Sequence, residues 1–309
     1  MTLKRLTLIV AYLTGVLTSL FAQGSGGITK DLLGSELNSI QTTVPFTTIS
    51  PDSRGGAMGD LGVATSPDVN SQHWNAAKYI FNKDKAGVSL TYTPWLRNLV
   101  NDINLAYLSA FYRFDERQAI SGSLKYFSMG EIIFRDMDGV ETGEYTPNEF
   151  AVDLGYSRLL SEYMSAALAL RFIRSDITGG GSVDGQQYNA GYSFASDLGL
   201  YYQRQAGLGG MDGEFAWGLN FSNLGTKISY TEGSDKQFIP ANLRLGARYT
   251  LEIDEYNSFT LAADLNKLLV PTPPKMSTSG DTVLFGKKIP SSLPLSWIQS
   301  FYDAPGGFK

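Results

Sequence analysis

From Ala86 onward apolar side chains fall on every second residue, segment after segment, and this period of two restricts the possible folds more than any other property of the chain. Val88, Leu90 and Tyr92 alternate with Gly87, Ser89, Thr91 and Thr93. Ile103, Leu105, Tyr107 and Phe111 share a face of the next segment, with Leu108 and Tyr112 opposite. Ile120, Leu124 and Tyr126 follow in 118–128, then Phe150, Val152, Leu154 and Tyr156 in 148–159, and Met164, Leu168, Leu170 and Phe172 in 163–173. Segments near 190–204, 214–222, 240–250 and 258–267 repeat the scheme, with Phe215, Trp217, Leu219 and Phe221 and then Leu243, Leu245 and Tyr249 as the clearest apolar faces. About nine segments result, each close to the length of a tilted strand that crosses a bilayer.

Two properties favour a membrane barrel over a soluble sandwich. Lys125, Asp153, Arg171, Asp197, Arg244, Arg248 and Asp264 occupy the faces opposite the apolar ones, where a dry sandwich core would bury charge at great cost and a polar lumen would not. The connections also divide into tight ones, at 115–117 and 160–162, and long ones, at 135–147, 175–189 and 223–239, as in outer-membrane barrels. The Gly-rich connection 205–213 is longer than that plan expects on its short side. Bacterial single-chain barrels hold an even number of strands. Nine strands followed by a Pro-rich tract (Pro271, Pro273, Pro274, Pro290, Pro294 and Pro305) therefore predict a chain truncated at its C-terminal end, the alternative being a further strand within 280–302.

The rest of the chain excludes most chemistry. There is no cysteine for disulfides, thiolate nucleophiles or metal binding, and His73 is the single histidine. Lys4 and Arg5 precede an apolar run from Leu6 to Phe21, with Ala22 as a small residue for cleavage, so 1–22 reads as a secretory signal peptide. The net charge of −5 and the absence of a basic patch argue against nucleic acid. Residues 23–85 read as an N-terminal extension and plug, and 86–309 as the barrel. No cofactor is expected.

The stretch Pro51-Asp52-Ser53-Arg54-Gly55-Gly56-Ala57-Met58-Gly59-Asp60-Leu61-Gly62-Val63-Ala64, followed by Asn75-Ala76-Ala77-Lys78-Tyr79, carries a family resemblance. Two later stretches carry it too: Asp264-Leu265-Asn266-Lys267-Leu268-Leu269-Val270-Pro271-Thr272-Pro273-Pro274 and Ser300-Phe301-Tyr302-Asp303-Ala304-Pro305-Gly306-Gly307-Phe308. In these the chain resembles the PorV family of the Bacteroidetes type IX secretion system, which is similar to the long-chain fatty acid transporter barrels. The resemblance implies an all-β, antiparallel transmembrane barrel of outer-membrane type with an N-terminal plug and fourteen strands, of which nine are visible here. It also implies an outer-membrane adaptor that associates with the type IX translocon barrel, receives cargo through C-terminal signal domains and passes it to an attachment complex with a PorU-like peptidase, in contact with outer-membrane lipid. The rival reading on the same fold is a passive channel for hydrophobic small molecules. A lipid-acting enzyme would have to use His73, beside which no serine motif marks a nucleophile.

Within the plug motif, Arg54, Gly55, Gly56 and Gly59 are expected to form a tight turn in which glycines allow positive φ, with Asp60 and Asn75 as further motif residues. Arg54 either pairs with a lumen carboxylate or is solvated. Trp95, Tyr92, Tyr107 and Phe134 are candidates for an interfacial aromatic girdle. Asp136, Asp138, Glu141 and Glu144 form an acidic cluster on a predicted external loop, either meeting a basic partner surface or remaining solvated. Trp297, Ile298, Phe301 and Tyr302 are partner-contact candidates on an external excursion, the alternative being that they pack over the lumen.

Overall fold

The computed structural model describes residues 40–95, 97–98, 102–135, 138–180, 182–183, 186–231, 236–277 and 283–303. Asp136 and the leader 1–22 lie outside them. The strands, in chain order, are β1 (Ala86–Pro94), β2 (Ile103–Arg113), β3 (Gln118–Met129), β4 (Ile132–Arg135), β5 (Glu141–Tyr145), β6 (Asn148–Ser161), β7 (Met164–Asp176), β8 (Ser182–Val183), β9 (Gln186–Gln187), β10 (Gly191–Gln205), β11 (Gly213–Gly225), β12 (Asn242–Glu252), β13 (Ser258–Leu268), β14 (Lys275–Met276) and β15 (Val283–Phe285). Nine of them form one antiparallel sheet in the order β1-β2-β3-β6-β7-β10-β11-β12-β13, every neighbour following its predecessor along the sheet. These are the nine segments that alternation marks in the sequence. The remaining strands make three small hairpins, β4–β5, β8–β9 and β14–β15, within the long connections and the Pro-rich tract. Among the described residues no helix is long and apolar enough to cross a membrane.

The sheet has an apolar outer face and a crowded inner one. Val88, Leu90, Leu154, Leu170, Phe194 and Leu265 are all exposed on the outside. Between them point the inward residues, so that β6 and β7 read as near-perfect alternations of buried and exposed positions. Strand β2 departs from the expectation. Leu105, Tyr107 and Phe111 point inward and are buried, so Tyr107 is not a girdle residue. The reason is the material that fills the interior: an apolar plug element packs against β2, which therefore keeps apolar residues on both faces.

The plug is the segment from Thr43 to Asn82. It comprises a 3-10 turn (Pro45–Thr48), helix α1 (Ser53–Ala57), helix α2 (Ser71–Trp74) and a longer 3-10 segment (Ala76–Phe81). These elements are too short for a hydrophobic period; capping and burial define them. Asp52 caps α1, its Oδ2 accepting from Gly55 N at 2.8 Å, and Asn75 caps the 3-10 segment, its Oδ1 accepting from Ala77 N at 3.1 Å. Two apolar layers fix the plug. One joins Ala76, Ala77, Tyr79 and Ile80 to Phe111, Ala119, Ala167, Tyr201 and Ala216. The other joins Val44 and Phe46 to Ala151, Ile173, Ala195, Ile228 and Ile239. A third helix, α3 (Leu293–Gln299), follows the Pro-rich tract, with proline in its first turn.

Candidate functional site

Between the two apolar layers lies a belt of buried charge. Neighbouring strands bring Ser123, Asp153, Arg171, Asp197 and Asn223 to one level. Arg171 Nε lies 2.6 Å from Asp153 Oδ1, its Nη2 lies 2.9 Å from Asp153 Oδ2 and 3.0 Å from Asp197 Oδ2, and its Nη1 donates to Asn223 Oδ1. Asn223 in turn donates its backbone N–H to Asp197 Oδ1 at 2.8 Å from a left-handed conformation, φ 57°, where the pairing of β10 and β11 slips. Ser123 Oγ supplies a further donor to Asp153 Oδ2 at 2.9 Å. One guanidinium thus sits between two carboxylates with its hydrogen bonds answered, the condition under which a buried ion cluster is tolerable.

The remaining lumen charges hold the plug backbone. Asp264 Oδ2 accepts from Gly62 N at 2.9 Å and Val63 N at 3.1 Å. Arg248 Nε donates to Ala64 O at 3.1 Å, while its Nη2 pairs with Glu214. Lys125 Nζ donates to Ile49 O at 2.9 Å and lies 3.2 Å from His73 Nδ1. The Arg244 guanidinium lies 4.9 Å over the Trp74 ring. From the plug side Asn75 Nδ2 donates to Leu200 O at 2.8 Å, and Ser157 and Ser165 on the strands donate to Ala76 O and Ala77 O.

His73 is the only histidine, and its surroundings are those of a packed residue. Its ring meets Trp74 edge-on at 4.7 Å, and Lys125 is the one hydrogen-bonding neighbour of that ring among the described residues. Burial pushes its pKa well below the ordinary 6.5, and the cations Lys125, Arg244, Arg171 and Lys78 push the same way. Lys78 is wholly buried too; burial pushes its ammonium down to about 8 against the opposing pull of Asp68, and it donates to Gly62 O at 2.8 Å and Thr65 Oγ1 at 3.0 Å.

The motif residues divide. Arg54 pairs with Asp68 inside the plug, at 2.7 Å, and donates to Ser66, so its carboxylate is local and not on a strand. Gly55 and Gly56 lie in helix α1, and positive φ falls on Gly59 (75°) and Asp60 (61°). Gly55 is needed for space instead: a Cβ there would stand 2.4 Å from the Trp74 ring. Asn75 is buried against the wall. Lys78, Asp52, Trp74, Asn223 and Glu214 carry contacts that no spacing in the sequence announces.

Outside the lumen, Arg135 pairs with Glu141 at 2.5 Å across the β4–β5 hairpin, and the Glu144 carboxyl pushes that of Glu131 up. Asp138 is exposed, as is Phe134 on the same hairpin. Trp95 and Tyr92 are exposed at the end of β1. Helix α3 and its continuation place Leu295, Ile298, Phe301 and Tyr302 at the surface, Trp297 being half-buried. Asp303 fastens this segment, its Oδ2 accepting from Thr272 N at 3.1 Å and Gln299 Nε2 at 3.2 Å. Lys267 lies 5.7 Å from the Phe301 ring and Lys287 4.2 Å from that of Tyr302.

Comparison with curated proteins gives no match. The family model described as "Type IX secretion system protein PorV" matches residues 34–275, which takes in the plug, the charged belt and all nine strands of the sheet. With that much of its length matched, this plugged, all-β chain belongs to the PorV family of type IX secretion system proteins.

Proposed function

We propose that this protein is an outer-membrane adaptor of type IX secretion, acting by protein–protein binding and doing no chemistry of its own. The apolar outer face is set in lipid, with the long-connection end outside the cell. There it binds the translocon barrel and the C-terminal signal domains of cargo, and it passes cargo to an attachment complex with a PorU-like peptidase.

The observation that carries this reading is the filled interior. A channel for hydrophobic molecules needs an apolar route past the plug, and the interior there is occupied by Arg171 paired with Asp153 and Asp197 and by Lys125 against His73. A side chain so occupied leaves the exposed loops as the working surface. The α3 segment, with Ile298, Phe301 and Tyr302 exposed, is the first choice for protein contact, since aromatic and aliphatic clusters of this kind are enriched at interfaces. The hairpin bearing Asp138, Glu141 and Glu144, together with Asp136, is the second. Affinity capture of the full-length protein from outer membranes tests the reading: the translocon barrel or signal-domain cargo is expected in the eluate, and recovery of neither would overturn it.

A further inference from the structure

At the tight-turn end of β1 and β2 a cavity of about 350 Å³ is lined by Lys83, Lys85, Arg113, Phe114, Asp115 and Glu116. Three cations thus face two carboxylates in a chain whose net charge is −5. One of the carboxylates is committed elsewhere: Asp115 closes the turn, accepting from Arg117 N at 2.7 Å and Gln118 Nε2 at 3.3 Å. Arg113 is anchored, its backbone N donating to Lys85 O at 2.8 Å and its Nη1 to Asn82 O. Its Nε is buried and has no hydrogen-bond partner among the described residues. Three cations around an open cavity, against one carboxylate not taken up in the turn, favour an anionic occupant.

The surroundings specify which anion. Tyr112 pairs with Ala86 and Ile120 on the outer face of the sheet. Lys85 Nζ lies 5.6 Å over its ring, and Phe114 meets it edge-on at 5.5 Å. Both rings are exposed, and Val88 and Leu90 continue the apolar surface along β1. The cavity therefore lies where the apolar outer face gives way to a cationic rim, with aromatic rings at the boundary. In a membrane this is the level of the lipid headgroups.

We propose that this cavity binds the phosphate of a phospholipid headgroup. Lys83 and Lys85 supply point charge to the phosphate oxygens, the Arg113 guanidinium, anchored on Asn82 O, adds to the positive field, and the acyl chains run along Tyr112 and the outer face of β1. This rests on the membrane placement proposed above and on no protein partner, so loss of translocon capture would leave it standing, and loss of lipid binding would leave the adaptor reading standing.

The test uses the full chain in detergent, titrated separately with dihexanoyl phosphatidylglycerol, inorganic phosphate and dihexanoylglycerol. Saturable binding of the phospholipid is expected, with inorganic phosphate at least about tenfold weaker and dihexanoylglycerol not bound. Lys83→Gln and Lys85→Gln should each weaken the phospholipid about fivefold, the worth of one basic side chain at an anionic surface. Arg113→Lys, which keeps the charge, should weaken it less than either lysine variant does. Unchanged affinity in the two lysine variants would overturn the proposal. So would inorganic phosphate binding as tightly as the lipid, which would make the site one for free anion, or dihexanoylglycerol doing so, which would make it a tail groove.

Discussion

Arg171 is the residue on which the interior most depends. It is buried between Asp153 and Asp197, and no other cation in the belt reaches both carboxylates among the described contacts. Arg171→Met keeps the length of the side chain and leaves two carboxylates facing each other. Removing one partner of a buried ion cluster costs about 3–5 kcal/mol, so the temperature at which the folded band is lost on unheated gels should fall sharply, and an unchanged midpoint would show the belt to be incidental. His73 makes a prediction in pH. Its folded pKa is depressed, so the folded state binds fewer protons than the unfolded one; stability is intact above 6.5 and declines as pH falls below it. Because it is the only histidine, His73→Gln should flatten the stability profile below pH 6.5 by up to about 1.4 kcal/mol per pH unit. Equal slopes in the two proteins would mean that the folded ring takes up its proton over the same pH range as the unfolded one. The charges themselves were legible in the sequence, since Lys125, Asp153, Arg171, Asp197, Arg244, Arg248 and Asp264 fall on the polar half of the alternation. Their partners were not: Asp153 meets Arg171 through strand register, and Asn223 joins them only through a slip in pairing.

Elements were read in proportion to their length. Strands of 9 to 15 residues show several repeats of their period, so all nine of the sheet were legible, whereas a helix of 5 residues such as α1 completes little more than a turn and is specified by its cap Asp52, by Gly55 and by Trp74 from 22 residues further on. Strand β2 has the two faces that its sequence indicates, but since both are apolar the sequence does not tell which turns inward: Tyr107 lies on the face against Tyr79, whose ring stacks on Phe111 at 4.8 Å, and so is no girdle residue. The plug approaches the wall closely where the strands carry glycine. A Cβ on Gly218 would stand 2.2 Å from Val63 O, and one on Gly246 would stand 2.0 Å from Asp264 Oδ1 and 2.5 Å from Val63 Cγ1. Gly218→Val should therefore displace residues 62–64 while the sheet persists, at a cost of about 1–3 kcal/mol. Limited proteolysis checks this: cleavage within 51–81 should appear in Gly218→Val and be absent in Leu219→Val, whose side chain lies on the outer face. Resistance of both variants would show that the plug has room to shift.

At the scale of the molecule, the surface proposed for partner contact and the stabilising interior are separate. The pair Ile298→Ala and Phe301→Ala removes exposed apolar area and no buried contact with the plug. Together they should reduce translocon or cargo capture at least tenfold, as for residues at the centre of an interface, with thermal stability unchanged; undiminished capture would move the binding surface to the acidic hairpin. This exposed cluster was visible in the sequence as an aromatic tract, but its helix was not, because Pro294 and four residues of apolar or hydroxyl type around it give no repeat to read. Finally, the contacts that seat the plug reach far along the chain: Asn75 to Leu200 spans 125 residues, and Gly62 to Asp264 spans 202. A segment made early is thus held by strands made well after it. Loop closure of this kind is slow, so during biogenesis the barrel wall should assemble around an unseated plug, and the locking of the plug should be the late, rate-limiting event that separates an inserted protein from a finished one.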